Sequence, residues 1–199
     1  YRMAFYRDFF VDFLKQLNLS RVSIVGSSLG GHIACEVAIA MPDLVDRLVL
    51  VSPAGALPRS FKGSPALKRY LKVTTARSVD EVRKALFAVD KKPVDESHAR
   101  TVFQRFSEPN AREAFLSALR GSSTAPRLSA RLDKISSPTL LIWGKEDIMI
   151  PARFAEPFLR MKNCRVLMLE HCGHRVHAEK PEIFNAQVSA FLKEGEDCS

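Results

Sequence analysis

The stretch Val25-Gly26-Ser27-Ser28-Leu29-Gly30-Gly31 lies where a strand pattern gives way to a helix pattern. Residues 21–25, just before it, are mostly apolar and rich in β-branched side chains, which is typical of a buried strand. After it, apolar residues recur at helical spacing until Pro42 ends the pattern. Residues 47–51 form a second apolar strand pattern. A strand, a helix and a strand within about 30 residues predict a βαβ unit and therefore a parallel sheet.

The same alternation of strand and helix patterns occurs elsewhere in the chain. Two further strand patterns and two amphipathic helix patterns occupy residues 139–144, 165–169, 5–17 and 183–192. Between residues 59 and 131 the strand signal is lost, and short helical patterns are separated by prolines. We therefore predict an α/β core made of residues 1–58 and 132–199, with a mostly parallel sheet and helices on both faces. Residues 59–131 are predicted to form a helical cap inserted into this core.

The first helix pattern is predicted to bury one apolar face and to end near Asn18. The apolar residues at helical spacing are Phe5, Phe9, Phe10, Phe13, Leu14 and Leu17. Charged and amide side chains occupy the positions between them.

Gly26 and Gly30 flank Ser28 by two residues on either side. This G-x-S-x-G pattern between a strand and a helix is that of a nucleophile elbow, in which the serine occupies a strained backbone conformation at a sharp turn. The flanking residues must then be small enough for strand and helix to approach each other. Ser27 lacks such neighbours, because both corresponding positions carry larger apolar side chains. We therefore expect Ser28 to be a nucleophile.

Two later positions offer the base and the carboxylate that a serine nucleophile needs. A serine hydroxyl is a weak nucleophile at neutral pH, so it requires a general base, and the base requires an orienting carboxylate. Asp147 follows the third strand pattern and His174 follows the fourth. Because the carboxyl ends of parallel strands meet at one edge of a sheet, we expect both residues to lie near Ser28. Glu146 is a second candidate for the carboxylate.

Other polar residues in these regions have plainer interpretations. Asp43 and Asp46 precede the second strand, at the wrong end for catalysis, and residues 52–55 after it contain no carboxylate. His171 and His177 flank His174 at a spacing that invites a metal site, but the elbow already accounts for His174, so we expect no metal.

Three further side chains are assigned structural positions. We expect His32 and His98 on helix surfaces and Trp143 in the core.

Length and composition exclude several classes of protein. The 199 residues include 30 basic and 22 acidic side chains, give a formal charge of +8 and are 46% hydrophobic, which suits one well-buried domain. The longest apolar runs are only four or five residues, whereas a membrane-spanning helix needs about 20. We therefore expect no membrane span. The four cysteines form no C-x-x-C pair and are interpreted as free thiols of a cytoplasmic protein: Cys35, Cys164, Cys172 and Cys198.

The positive charge is concentrated in the predicted cap. Residues 59–131 contain 16 basic and 7 acidic side chains, whereas the other two segments are close to neutral. The plain interpretation is a solvated basic helical surface. The functional alternative is attraction of an anionic substrate, an acidic carrier protein or an anionic surface. Aromatic residues do not alternate with the basic ones as they do on nucleic-acid platforms, so we expect no nucleic-acid partner.

Three stretches together resemble the α/β-hydrolase superfamily, particularly its capped branch of serine esterases, lipases and carbon–carbon hydrolases. Residues 25–31 resemble the family's elbow, residues 138–147 resemble its acid strand, and residues 173–182 resemble its histidine loop. The resemblance covers nearly the whole chain outside the cap. It implies an α/β-hydrolase fold and a catalytic mechanism that needs no cofactor.

The resemblance also implies a role for each matching residue. Ser28 would be the nucleophile, His174 the general base and then acid, and Asp147 the carboxylate that fixes the histidine tautomer. Leu29 would supply one backbone N–H of the oxyanion hole, and Gly26 and Gly30 would be the elbow glycines. The implied activity is that of a carboxylesterase or lipase (EC 3.1.1) that cleaves a small-molecule ester through an acyl-enzyme intermediate.

The sequence departs from the family in one respect. Intact relatives have several strands before the elbow helix, and a loop among them supplies the second oxyanion N–H. We therefore expect this chain to lack the N-terminal part of the fold, which would leave the strand at residues 21–25 on an unpaired sheet edge. Two alternatives stay open: a carbon–carbon or amide hydrolase with the same triad, and a non-catalytic binding module with this fold.

Overall fold

A computed structural model describes residues 1–58, 63–90 and 93–194 of the chain. Within these ranges the strands are β1 (Val22–Ser27), β2 (Val45–Val51), β3 (Thr139–Gly144) and β4 (Cys164–Leu169). The α-helices are α1 (Met3–Gln16), α2 (Leu29–Ala40), α3 (Pro65–Tyr70), α4 (Val79–Asp90), α5 (Glu96–Ser107), α6 (Ala111–Thr124), α7 (Val176–Glu179) and α8 (Pro181–Lys193). Short 3-10 segments occupy Pro42–Leu44, Leu71–Thr75, Leu128–Ala130, Leu132–Lys134 and Ala152–Arg160.

The four strands form one parallel sheet in the order β1-β2-β3-β4. Each neighbouring pair is parallel: Leu50 of β2, for example, pairs with Gly26 of β1 and with Leu141 of β3. All four carboxyl ends therefore lie at one edge of the sheet, which confirms the predicted parallel α/β fold. Among the described residues β1 pairs only with β2, so its other edge is open.

Alternation along the central strands divides the core into two layers. Leu48 and Leu50 of β2 pack in a cluster with α2 and with Phe158 of the 3-10 segment. Val49 and Val51 point to the opposite face and pack with α8 through residues such as Phe191. Strands buried on both faces carry continuous apolar runs, because neither side chain row meets water. Helices thus cover both faces of the sheet, as predicted.

Helix α1 forms where the sequence predicts it, but it buries only part of the predicted apolar face. Its buried residues are Met3, Val11 and Leu14, of which Val11 joins the cluster that contains α2. Four residues of the predicted face have 49–65% of their surface exposed: Phe5, Phe9, Phe13 and Leu17. They recur at four-residue spacing, and no described element covers them. The periodicity located the helix correctly, but of the predicted face only Leu14 is buried and Phe10 packs against the core cluster.

The described residues between β2 and β3 form helices and no strands. Helices α4 and α5 share a small cluster of their own, which includes Val82, Leu86 and Ala99. Leu128, near the end of the predicted cap range, is fully buried in the core cluster instead. The division into a core and a cap at residues 59–131 stays a prediction, and residues 59–62 and 91–92 lie outside the described part. No helix in the described ranges is both long and apolar enough to cross a bilayer.

Candidate active site

Ser28 occupies the turn between β1 and α2 in an unusual backbone conformation. Its φ is 53° and its ψ is −116°, a combination that costs a non-glycine residue about 1–3 kcal/mol. Backbone hydrogen bonds to neighbouring segments of the same chain hold Ser28 in this conformation. The Ser28 N–H donates to Val51 at 2.9 Å, and the Ser28 carbonyl accepts from Ala54 at 2.9 Å and from His32 at 3.2 Å. The strain of the elbow is therefore maintained by β2 and the loop after it.

Two glycines allow β1, α2 and the loop after β2 to approach closely. A Cβ at Gly26 would lie 2.6 Å from the Gly30 carbonyl oxygen, a distance that real structures do not tolerate. At Gly30 a Cβ would meet no atom within 4 Å, whereas at Gly31 it would lie 2.7 Å from the Cβ of Pro53. The steric requirement predicted for Gly30 therefore falls on Gly31. Gly30 contributes its carbonyl to the contact, and its own Cβ position faces open space.

Asp147 is buried just beyond the carboxyl end of β3. Its Oδ1 accepts hydrogen bonds from the backbone N–H groups of Met149 and Ile150, both at 2.8 Å. Its Oδ2 lies 2.7 Å from Nδ1 of His174. Because an ionised carboxylate only accepts hydrogen bonds, this contact places the imidazole proton on Nδ1 and leaves Nε2 as the basic nitrogen. Both oxygens of Asp147 are thus occupied, and the tautomer of His174 is fixed.

The loop that carries His174 is held from two further sides. The Glu179 carboxylate accepts from the backbone N–H of Gly173 at 3.0 Å and of Arg175 at 3.2 Å, so it brackets His174. Gly144 lies under the loop, and a Cβ there would collide with the carbonyl oxygens of residues 172 and 173. Sequence reasoning missed both positions. Glu179 falls five residues after His174, and Gly144 is the last residue of β3. Their roles depend on contacts with the loop at residues 172–175, which the sequence does not reveal.

Glu146, the second candidate for the orienting carboxylate, has a different partner. Its Oε1 lies 3.1 Å from both the backbone nitrogen and Nδ1 of His171, at the exposed surface. Asp147 is therefore the carboxylate that contacts His174.

The two flanking histidines do not form a metal site with His174. Burial, together with the charges of Arg175 and His174, lowers the pKa of His177, and its ring packs edge-on against Phe184. Among the described residues, no group of three or more His, Cys, Asp or Glu side chains is placed to hold a metal ion.

The loop after β2 contains a strained and buried serine. Ser52 has a φ of 43° and no exposed surface, and its hydroxyl has no hydrogen-bond partner among the described residues. Ser52 directly follows β2, which lies between β1 and β3 in the sheet. Ser28 follows β1 and Asp147 follows β3, so Ser52 lies at the same sheet edge, on the strand between theirs. The sequence carries no signal for this conformation, because positive φ is expected of glycine.

The remaining predicted residues occupy simple positions. Leu29 is the first residue of α2, so its backbone N–H has no acceptor within the helix. His98 is exposed on α5 and Trp143 is fully buried, as expected. His32 was expected on a helix surface, and this is wrong, because its side chain is completely buried.

Two proteins of known name are similar to this chain in sequence. A 2-hydroxy-6-oxononadienedioate/2-hydroxy-6-oxononatrienedioate hydrolase from Paraburkholderia xenovorans is 28% identical over 186 residues, which cover 90% of this chain and 64% of the relative. A human monoacylglycerol lipase is 30% identical over 195 residues, which cover 92% of this chain and 58% of the relative. The chain thus spans less than two thirds of the length of either relative.

Solved structures and family models give the same assignment. A meta-cleavage product hydrolase from Pseudomonas fluorescens superimposes with a TM-score of 0.83 at 23% identity, covering 98% of this chain and 72% of that one. At this identity the likeness concerns the fold alone. The model of the alpha/beta hydrolase family matches residues 1–187. This chain therefore belongs to the alpha/beta hydrolase family.

Proposed function

We propose that this chain carries the triad of a serine hydrolase that cleaves a carboxylic ester, with Ser28 as nucleophile, His174 as base and Asp147 as orienting carboxylate. The observation that carries the proposal is the buried 2.7 Å contact between His174 Nδ1 and Asp147 Oδ2. It lies at the same sheet edge as the strained turn of Ser28. Strain of this kind and a pre-formed base–carboxylate pair are costly to maintain without a use.

The proposed reaction follows from the roles of these groups. His174 Nε2 takes the proton of the Ser28 hydroxyl as its oxygen attacks the ester carbonyl, and the resulting oxyanion is stabilised by the Leu29 N–H. The imidazolium, stabilised by Asp147, then gives this proton to the leaving alcohol, which departs and leaves an acyl-enzyme. Water, deprotonated by the same histidine, releases the acid and restores Ser28.

A carbon–carbon hydrolase with the same three residues is the second candidate. It is favoured by the named activity of the bacterial relative. The human relative is named a lipase and favours the ester. These two reactions use the same nucleophile and base, so the triad alone does not discriminate between them.

The first experiment is labelling with a fluorophosphonate probe, which reacts with an activated serine. We expect the chain to label, and we expect both Ser28→Ala and His174→Ala to abolish labelling. Ser27→Ala is the matched control, because it removes the neighbouring hydroxyl and leaves the proposed nucleophile in place. Absence of labelling in a folded chain would contradict the proposal and would leave the non-catalytic binding module as the better account.

A two-substrate comparison then separates the candidate reactions. The ester proposal expects turnover of 4-nitrophenyl butyrate and none of 2-hydroxy-6-oxononadienedioate. The reverse pattern, with both activities lost in Ser28→Ala, would assign carbon–carbon cleavage instead.

The basic cap is proposed to favour anionic substrates, or an acidic carrier that presents them. We expect kcat/KM for a carboxylate-bearing ester such as 4-nitrophenyl hemisuccinate to exceed that for the butyrate. Raising NaCl to about 0.5 M should remove the preference, because salt screens exposed charges over a few ångströms. A preference that does not change with salt would contradict this role. We also propose a cytoplasmic location, as free cysteines indicate.

A further inference from the structure

His32 is a buried polar side chain that the proposed reaction does not use. It lies on α2, four residues after Ser28, and its side chain has no exposed surface. Gly55 packs directly against the imidazole: its φ is +91°, and a Cβ there would lie 2.6 Å from the His32 Cγ. A fully buried imidazole needs partners for its nitrogens, because an unpaired buried polar group is costly. The identity of those partners indicates what the residue does.

One imidazole nitrogen of His32 contacts the last helix before β3. Nδ1 lies 2.8 Å from the hydroxyl of Ser122, which belongs to the C-terminal part of α6. Nε2 lies 3.4 Å from Oε1 of Glu36, one turn further along α2. Nε2 makes no hydrogen bond among the described residues, so its approach to Glu36 is an electrostatic contact. A carboxylate at that distance favours a proton on Nε2, which leaves Nδ1 to accept from the Ser122 hydroxyl. His32 therefore connects the helix that begins after Ser28 to α6.

Glu36 extends this connection to the segment by which the chain returns to the core. Arg131 donates from Nη1 to its Oε2 at 3.2 Å and from Nη2 to its Oε1, while Nη2 also donates to the Pro126 carbonyl at 3.2 Å. Burial opposes ionisation of Glu36, but its contacts with His32 and Arg131 outweigh burial and lower its pKa to about 2. The carboxylate is thus charged throughout the pH range in which the enzyme would be assayed.

We propose that His32, Ser122, Glu36 and Arg131 form a latch that fixes α6 and the segment after it on the nucleophile helix. This inference rests on the proposed function and on the predicted cap at residues 59–131, and it adds that α6 lies over the substrate. His32 and Ser122 are then positioning residues: they set how α6 lies over the site for substrates that extend beneath it, and they take no part in bond breaking.

The chemistry of the latch favours a positioning role over a purely stabilising one. Buried polar and ionic groups add little net stability compared with apolar side chains of the same size. They do define one geometry, because hydrogen bonds are directional and each unpaired alternative is penalised. One contact joins His32 to Ser122, 90 residues later, and the other joins Glu36 to Arg131, 95 residues later. Together they specify how α6 and the segment after it lie on α2.

The test compares Ser122→Ala with Ser123→Ala. Ser123 is the neighbouring serine of α6, and its hydroxyl donates only to the Arg120 carbonyl of its own helix, at an exposed position. The substrates are 4-nitrophenyl acetate, whose acyl group is too short to reach far under α6, and 4-nitrophenyl octanoate. For Ser122→Ala we expect KM for the octanoate to rise about fivefold to tenfold, as the loss of one buried hydrogen bond implies. We expect kcat for the acetate to stay within about twofold, since no reacting group is touched.

Two further measurements test the inference, and the second of them does not depend on activity. Ser122→Thr retains the hydroxyl and should restore the parent KM for the octanoate. Amide hydrogen exchange across residues 111–124 should be faster in Ser122→Ala than in Ser123→Ala, even if neither ester is hydrolysed. Equal exchange in the two variants, or an equal loss of activity toward both esters, would overturn the latch. A parent chain that does not label with fluorophosphonate would contradict the proposed function alone.

Discussion

The two halves of the candidate triad are held in place by different physical means. Around Asp147 and His174, the side-chain and backbone polar groups pair with one another, through both oxygens of Asp147 and through the Glu179 carboxylate. Around Ser28, position depends on space: a strained turn is held between backbone segments that approach too closely for a Cβ at Gly26 or Gly31. The base and acid are fixed by hydrogen bonds of their side chains, whereas the nucleophile is fixed through its backbone, by main-chain hydrogen bonds and by the close approach of the neighbouring segments.

This difference predicts opposite sensitivities. Where hydrogen bonds fix the geometry, substitutions that keep the shape and change donors or acceptors should be most harmful. Where space fixes the geometry, the addition of a single methyl group should be most harmful, and removal of polarity should matter little.

The largest effect is expected for Asp147→Asn. The amide retains nearly the same shape, but its NH₂ group either faces Nδ1 of His174 or displaces the acceptor of the Met149 and Ile150 N–H groups. In both orientations the negative charge that stabilises the imidazolium is lost, and in the first the imidazole also loses the acceptor that fixes its tautomer. We therefore expect kcat for an ester to fall about 10³-fold to 10⁴-fold. Steady-state kinetics with 4-nitrophenyl butyrate measures this effect.

Glu146→Gln is the matched control for this substitution. It makes the same chemical change at the adjacent carboxylate, whose partner is the exposed His171, so kcat should stay within about twofold. A large loss in Glu146→Gln with little loss in Asp147→Asn would reverse the assignment of the orienting carboxylate.

The second prediction concerns the glycines around Ser28. Gly26→Ala and Gly31→Ala each place a methyl group within 2.7 Å of fixed atoms, and should each lower the free energy of unfolding by about 2–3 kcal/mol. Gly30→Ala adds a methyl group in open space, and should change stability by less than about 1 kcal/mol, in the stabilising direction. Urea unfolding of the three variants decides the matter. A Gly30→Ala variant as unstable as the other two would show that the elbow needs the glycine of the motif itself.

The glycines also illustrate the limit of the sequence pattern. The spacing G-x-S-x-G located the turn, the strand and the helix correctly, because periodicity and small residues are local properties of the chain. It did not identify which of the two glycines, Gly30 or Gly31, has no room for a side chain. That depends on whether a Cβ would point toward Pro53, which lies in the loop after β2. A one-dimensional motif carries no information on that direction.

Long-range partners explain the other differences from the sequence analysis. His32 was wrongly expected at a surface. Its burial depends on Ser122 and Gly55, which are distant in sequence and so leave no local pattern around it. The aromatic residues of α1 were expected to be buried, but most of them are exposed. Periodicity shows which residues share a face of a helix, and it does not show what covers that face. The pairing of Asp147 with His174 was predictable, since both follow strands whose carboxyl ends share one edge.

The third prediction tests the two hydrogen bonds by which Glu179 holds the backbone on either side of His174. Glu179→Gln replaces one of the carboxylate oxygens that accept from Gly173 and Arg175 by an NH₂ group, which faces an N–H and makes no hydrogen bond. The free energy of unfolding should fall by about 1–2 kcal/mol. The rate of fluorophosphonate labelling should fall about tenfold, because His174 is less well oriented. Glu182→Gln, on the exposed surface of α8, is the control, and an equal response of the two variants would remove Glu179 from this role.

The smallest expected effect is a gain in stability at Ser52. This residue has a positive φ of 43° and a buried hydroxyl with no partner among the described residues. Ser52→Gly removes the backbone strain and the unpaired hydroxyl, and these gains exceed the added entropy of the unfolded chain, so stability should rise by about 1 kcal/mol. Ser52→Ala removes only the hydroxyl and separates the two contributions in the same thermal unfolding experiment. If Gly lowers stability and Ala does not, the strain at Ser52 is absent in solution. The nucleophile side of the site would then be less constrained by the backbone than its geometry implies.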